Sequence, residues 1–251
     1  MTTALPLSNH VALVTGGSRG IGAAIARRLA QDGADVAIGY GTSAERAEAL
    51  VAELQGLGVR AAAFQADQAV PEQVASLVRH VAKHFGKLDI LVNNAGVFVT
   101  GGLGDAAPDL AAIERQHAIN VGGVTAAVRA AAPLISDNGR IITIGSGLGD
   151  HTPWPGLADY SATKAAVAAY SRGWARDLAP RGITVNTVQP GSTDTEMNPA
   201  TSDFAAVQKA GIALGRYGKP EEIAAAVAFL ARPDASFITG ISLNVDGGLA
   251  A

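Results

Sequence analysis

The feature that most constrains this chain is a repeated alternation of short, uninterrupted aliphatic runs with longer alanine-rich stretches of helical period. Runs without inserted polar residues suit strands buried on both faces, and a helix between successive strands is the crossover that parallel pairing needs. Strands are expected at Val11 to Thr15, Asp35 to Ile38, Arg60 to Gln65, Ile90 to Asn93, Arg140 to Ile144, Thr184 to Gln189 and Ser242 to Val245. Helices are expected over Ile21 to Gln31, Ala44 to Leu57, Pro71 to Phe85, Asp109 to Leu134, Tyr160 to Leu178 and Pro220 to Ala231, several opened by Ser, Asp or Pro. The pattern predicts an α/β fold, a doubly wound seven-stranded parallel sheet with helices on both faces, as a single domain over 1–251. Ser192 to Gly215 breaks the rhythm, and this weakly periodic excursion reads as a substrate lid.

Length and composition agree with one globular domain: 251 residues, 48% hydrophobic and 16% charged, with 30 glycines for tight turns. A formal net charge of -3 with no basic run leaves no electrostatic footprint for nucleic acid or an anionic membrane, so the expected partners are small molecules. The absence of cysteine excludes disulfides, a thiol nucleophile and thiolate metal sites. The opening MTTALPLSNH has neither a basic nor an apolar leader region, and no later run is long and uncharged enough to span a bilayer, so a cytoplasmic location is expected. His80 and His84 have metal-ligand spacing, but Val81, Ala82 and Lys83 between them supply no acid, and no metal site is expected. Gly-rich 101–105 follows another turn without an intervening strand and reads as a flexible rim.

The first strand runs straight into TGGSRGIG, which places Gly16, Gly20 and Gly22 where the chain must turn tightly and let a pyrophosphate approach a helix N-terminus. This points to a dinucleotide-binding Rossmann arrangement, with Gly16, Ser18, Arg19, Gly20 and Ile21 in contact with the coenzyme. An acid at the end of the second strand would accept from a ribose 2′-hydroxyl; here Gly39 and Tyr40 stand instead. Arg19 offers forked donors to a phosphate, and Gly41, Thr42 and Ser43 follow with hydroxyls and backbone N–H groups. Missing acid and present base together indicate NADP(H).

Tyr160 and Lys164 are four apart and share a helix face. A phenol near its ordinary pKa of about 10 needs a cation beside it to trade protons at neutral pH, and Lys164 can supply one. Ser146 follows the fifth strand in IITIGSG, on the sheet edge where ligands of parallel sheets bind, and its hydroxyl can hold a substrate carbonyl.

In these motifs, taken in order along essentially the whole chain, the sequence resembles the short-chain dehydrogenase/reductase family, whose glycine turn is written TGxxxGIG. The resemblance implies a Ser146-Tyr160-Lys164 catalytic set with Asn120, in AIN, as fourth member, its backbone carbonyl holding a water that links Lys164 to solvent. It implies coenzyme contacts from Asp67 to the adenine amine, with Ala66 and Gln68 beside it, from Asn94, Ala95 and Gly96 in the NNAG turn that begins at Asn93, and from Tyr160 and Lys164. Pro190 and Gly191 close the sixth strand, and the resemblance gives Thr193 and Thr195 contacts to the carboxamide or pyrophosphate. It also implies a homotetramer formed through the two long helices and the last strand.

Three activities fit these residues. The first is a ketoreductase or alcohol dehydrogenase for a small or medium ketone or alcohol, with Val97, Phe98, Pro153, Trp154, Pro155, Leu157, Met197 and Phe204 as candidate pocket residues. The second is a 3-oxoacyl-acyl-carrier-protein reductase, which the chain also resembles in GRIITIGS and RGITVN. Such enzymes carry basic residues just before the fifth strand, whereas Ile135 to Asn138 is acidic or neutral; Arg129, Arg172 and Arg176 remain candidate carrier contacts. The third is a nucleotide-binding sensor without turnover, against which the complete site residues argue.

Overall fold

The computed structural model describes residues 5–251; Met1–Ala4, part of the opening stretch read above as carrying no leader, lie outside the described residues. Among these residues, β1 (Val11–Thr15), β2 (Asp35–Tyr40), β3 (Ala61–Gln65), β4 (Leu88–Asn93), β5 (Ile135–Ile144), β6 (Thr184–Pro190) and β7 (Ser242–Val245) form one sheet. Its order is β3-β2-β1-β4-β5-β6-β7 and its pairing is parallel throughout.

The continuous aliphatic runs have the expected cause. Ala12 and Val14 of β1 join a core with residues of α1 (Gly20–Gln31), α2 (Ala44–Gly56) and, from the end of the chain, α8 (Pro220–Ala231). Val11 and Leu13 point the other way, into a core with α3 (Pro71–Phe85), α5 (Val124–Ala131) and α6 (Ala158–Leu178). Both sides of the strand are buried, so neither parity tolerates a polar residue. Strand order reverses between β1 and β4, and the crevice at their carboxyl ends is the natural ligand position of such a sheet.

Three expectations change. The helix predicted from Asp109 to Leu134 is α4 (Leu110–His117), a π-helical turn Ala118–Gly123, and α5. Apolar spacing alone cannot reveal such a widened turn, because the helix resumes its period on the far side. The fifth strand starts at Ile135 rather than Arg140: Leu88 pairs with Ile135, the register then shifts, and Asn138 adopts φ 62°. The polar Ser136-Asp137-Asn138 thus forms a kinked strand entry, not a loop. Within 192–215 a short α7 (Ala205–Ala210) packs in a small apolar cluster with Ile212 and Tyr217, separate from the two main cores.

No helix among the described residues is long and apolar enough to cross a membrane. Among them, no group of three His, Asp or Glu side chains is placed to hold a metal. The His84 ring packs edge-on against Phe64 and Phe85.

Candidate active site

The two loops that leave β1 and β4 meet at the switch point. Gly16 has φ +62°, and a Cβ there would lie 2.8 Å from Cα of Ala95, so only glycine allows the approach. A Cβ on Gly22 would lie 2.3 Å from the Gly16 carbonyl oxygen, which explains the third glycine: it lets α1 start directly under the turn. Asn94 stitches the loops together, its Nδ2 donating to the carbonyls of Thr15 and Gly16 at 3.0 Å. The Thr15 hydroxyl accepts from the N–H groups of Asn94 and Ala95 at 3.0 and 3.1 Å.

This cradle fits a dinucleotide on its own geometry. The N-terminus of α1 has no side-chain cap and no acid in its first turn, so neither offsets its N–H groups and positive dipole end. Tyr40 ends β2, and Gly41 and Thr42 beside it are exposed, with no carboxylate at the strand end. Arg19 is exposed, and its guanidinium meets Glu196 of the 192–215 segment at 2.9 Å.

Around the expected adenine position, Asp67 is not a free acceptor. Its carboxylate takes the Ala69 N–H at 2.9 Å and both oxygens face an Nη of Arg115 at 3.1 Å. These bonds hold its carboxyl below the usual range, the Ala69 N–H contributing most. Ala66 is buried. Gln68 packs against Gly123, where a Cβ would lie 2.4 Å from the Gln68 carbonyl oxygen, and its Nε2 is buried without a partner.

The residues expected to transfer protons gather one strand further on. Ser146 follows β5 and caps a short 3-10 turn, its Oγ accepting from Leu148 N at 3.1 Å. A Cβ on Gly149, in that turn, would lie 3.0 Å from backbone atoms of Lys164 and Ala165, so the turn sits directly on α6. Helix α6 begins at Ala158, two residues before the expected start, and carries Tyr160 in its first turn. Tyr160 keeps partial surface, yet desolvation pushes its phenol up to about 12, opposed by a hydrogen bond with Ser146. Lys164 is buried, its Nζ donates to the Ile144 carbonyl at 3.0 Å, and burial pulls the ammonium down to about 8. That nitrogen lies 5.7 Å from the centroid of the Tyr160 ring.

Asn120 falls within the π-helical turn and is buried rather than solvated. Its side chain closes a ring with Val97, accepting from the N–H at 2.9 Å and donating to the carbonyl at 3.0 Å. It also donates to Thr163 Oγ1 at 3.1 Å, which in turn donates to the Tyr160 carbonyl at 2.7 Å. Asn120 thereby locks the NNAG loop to the start of α6. A Cβ on Gly96 would lie 3.5 Å from Lys164 Nζ, so this glycine keeps the space beside the ammonium open. The structure therefore groups Asn120, Ser146, Tyr160 and Lys164 at one edge, with the cradle alongside.

Two aromatic pairs stand on the segments around these residues. Phe98 packs edge-on to Tyr160 with centroids 4.7 Å apart, and Trp154 packs edge-on to Phe204 at 5.2 Å. The loops behind them are joined by Gly101 N–H to the Gly156 carbonyl at 2.9 Å. Thr193 is buried with its hydroxyl on the Gly191 carbonyl, and Thr195 lies over the glycine turn, its Cγ2 3.6 Å from where a Cβ of Gly20 would be.

Sequence reasoning missed Arg46, Arg115 and Glu196. Arg46, in the first turn of α2 just past Ser43, was a readable signal as a second base beside the ribose position. The other two are recognised only through partners 48 residues or more away.

Comparison with known proteins gives a consistent result. A family model described as Enoyl-(Acyl carrier protein) reductase matches residues 16–250. A short-chain dehydrogenase from Burkholderia cenocepacia, solved in complex with NADP, is 52% identical with a TM-score of 0.95, covering 98% of this chain and 100% of that one. The cyclic-di-GMP-binding biofilm dispersal mediator protein of Escherichia coli is 43% identical over 95% of this chain and 96% of its own. A 3-oxoacyl-[acyl-carrier-protein] reductase of Staphylococcus aureus is 42% identical over 95% and 97%.

Proposed function

The chain belongs to the short-chain dehydrogenase/reductase family and is an oxidoreductase of it, and we propose that it is an NADP(H)-dependent reductase of ketones, acting through Ser146, Tyr160, Lys164 and Asn120. The observation that carries this reading is the grouping of Tyr160, Ser146 and buried Lys164 beside a glycine cradle whose ribose end holds bases and no free acid. NADP(H), when bound, supplies or accepts the hydride. The coenzyme would be held by Gly16, Ser18, Arg19, Gly20 and Ile21 at the phosphates, Tyr40 to Ser43 at the ribose, Ala66 to Gln68 and Asn94 to Gly96 along the crevice, Tyr160 and Lys164, and Pro190, Gly191, Thr193 and Thr195 from the lid side.

In the reducing direction the Tyr160 phenol donates its proton to the carbonyl oxygen as that oxygen gains charge, and the Ser146 hydroxyl holds the same oxygen in place. The ammonium of Lys164 steadies the phenolate left behind and passes it a proton, and a water held at the Asn120 backbone carbonyl would return that proton to Lys164 from solvent. Segment 192–215, on its own small core, serves as the lid of a single catalytic domain.

The pocket reading narrows the substrate. In a chain only 5% aromatic, Phe98 packs on Tyr160 itself and Trp154 on Phe204 of the lid segment, aromatic surface suited to an aryl arm. Initial rates of NADPH oxidation with acetophenone, cyclohexanone, acetoacetyl and crotonyl thioesters, repeated with NADH, test this. The expected result is reduction of acetophenone with NADPH, preferred over cyclohexanone by roughly tenfold, with the preference removed by Phe98→Ala. Equal rates on both ketones would sink the aryl reading.

Reduction of acyl-carrier thioesters is the second reading, supported by the Staphylococcus relative and by exposed Arg129, Arg172 and Arg176 on α5 and α6. The acidic Ile135–Asn138 stretch does not bear against it. It enters β5 at the end opposite Ser146, about 20 Å from the site by strand rise, and Asp137 is already paired with Arg181 at 2.7 Å. Preference for the acetoacetyl thioester would favour this reading. Tight NADPH binding with no turnover on any substrate would favour the sensor.

Two uncovered apolar surfaces support a homotetramer. One comprises Phe229, fully exposed Phe237 and Ile241 beside edge strand β7; the other carries Tyr170, stacked on Trp174, along α6. Sedimentation at micromolar concentration is expected to give about four times the mass of one chain, and a stable monomer would overturn this.

A further inference from the structure

We infer that Glu196 is an internal stand-in for the coenzyme's 2′-phosphate: its carboxylate clasps Arg19 and Arg46 and ties the lid to the ribose end of the cradle until that phosphate takes the two guanidiniums. The inference rests on the NADP(H) reading above, and it makes Arg46 and Glu196 coenzyme-selecting residues.

The clasp joins three elements distant in sequence. Arg19 stands at the N-cap of α1, Arg46 in the first turn of α2, and Glu196 on the lid. Glu196 Oε2 meets Arg19 Nη1 at 2.9 Å, while Arg46 Nη1 reaches Oε1 at 2.7 Å and Oε2 at 3.0 Å. Guanidinium forks receive carboxylate and phosphate with the same geometry. The two bases are therefore already aimed at one shared anion, at the strand end where a ribose acid is missing.

The lid side is built to deliver that anion. Glu196 and Met197 form the tip of a turn closed by Thr195 and Asn198, which exchange backbone bonds at 3.4 and 3.1 Å. Asn198 is tied to Gln208 at 2.9 Å, and Tyr217 donates to the same Gln208 at 2.9 Å. The turn is thus rooted in the lid's own cluster, and its Thr195 rests over Gly20. Arg46 and Arg19 together hold the Glu196 carboxyl below its usual range, so it is an anion throughout the neutral region.

Charge decides the consequence. A 2′-phosphate dianion entering between Arg19 and Arg46 repels the carboxylate already there, so the coenzyme displaces Glu196 and frees the lid tip. A coenzyme with a bare 2′-hydroxyl offers no such repulsion and leaves the clasp closed.

The test uses binding rather than turnover: calorimetric titration of the whole protein, Glu196→Gln, Arg46→Gln and the double variant with 2′-AMP, 5′-AMP, NADPH and NADH. Exposed ion pairs of this kind are weak individually. Glu196→Gln is therefore expected to tighten 2′-AMP and NADPH by about three- to tenfold and leave 5′-AMP and NADH unchanged. Arg46→Gln should weaken the phosphate-bearing pair and remove most of the effect of Glu196→Gln. Equal shifts for all four ligands, or no shift, would overturn the clasp while leaving the NADP(H) reading intact. Failure of the unaltered protein to prefer 2′-AMP over 5′-AMP would overturn both.

Discussion

Replacing Tyr160 by Phe is expected to lower kcat for ketone reduction by roughly 10²–10⁴-fold while changing NADPH affinity by less than about threefold. The substitution removes one oxygen and keeps the ring, so the edge-on packing against Phe98 at 4.7 Å and the fold of α6 around it persist. What disappears is the sole proposed proton donor, placed against Ser146 and held protonated, near pKa 12, across the whole physiological range. At that value Tyr160 keeps its proton throughout the neutral range, the form that donates to a carbonyl oxygen. Steady-state rates beside a fluorescence titration of NADPH check both halves. Retained turnover in the Phe variant would reject Tyr160 as the acid.

Lys164→Met should abolish most turnover and yet stabilise the protein at neutral pH. Burial pulls the ammonium from its ordinary 10.5 down to about 8, so the folded state holds this proton less tightly than the unfolded chain. Where the unfolded chain binds more protons, stability rises with pH. For Lys164 the rise runs from about pH 8 to 10.5, and the full destabilising cost is present below pH 8. Tyr160 acts in the opposite sense above its ordinary value of 10, where stability falls as pH climbs toward about 12. A methionine fills the same volume without a charge, at the loss of the bond to the Ile144 carbonyl. The net gain expected at pH 7 is about 1–3 kcal/mol, read from denaturant midpoints. The gain should shrink on approaching pH 10. A variant less stable than the parent at pH 7 would show that the ammonium is better solvated than its burial implies. Reduction by the unaltered enzyme should decline as pH passes 8, because Lys164 then loses the charge that steadies the phenolate.

Much of this site was legible because its parts are local. Gly16, Gly20 and Gly22 follow a strand that must be aliphatic on both parities, and Tyr160 and Lys164 share a helical face whatever else happens. The parallel sheet and the placement of Ser146 at the end of β5 follow from the same alternation. The π-helical turn around Asn120 was invisible, since a widened turn changes hydrogen bonding without changing residue type. The early start of β5 was hidden by Ser136, Asp137 and Asn138, which suit a turn locally and were drawn into the sheet by Ile135 pairing with Leu88. Long-range ion pairs were equally unreadable: nothing near Asp67 announces Arg115, and nothing near Glu196 announces Arg19 and Arg46.

The uncapped start of α1 has a meaning for anyone who would redesign this protein. The cradle beneath the phosphates is made of peptide groups and missing side chains, which substitution cannot re-tune without breaking the turn, as the 2.3 Å approach at Gly22 shows. The ribose end is made of exposed, rotatable side chains, Arg19 and Arg46 foremost. Freedom to alter coenzyme choice is therefore concentrated in a few replaceable atoms at the rim, while the machinery that grips any dinucleotide is written into the path of the chain itself.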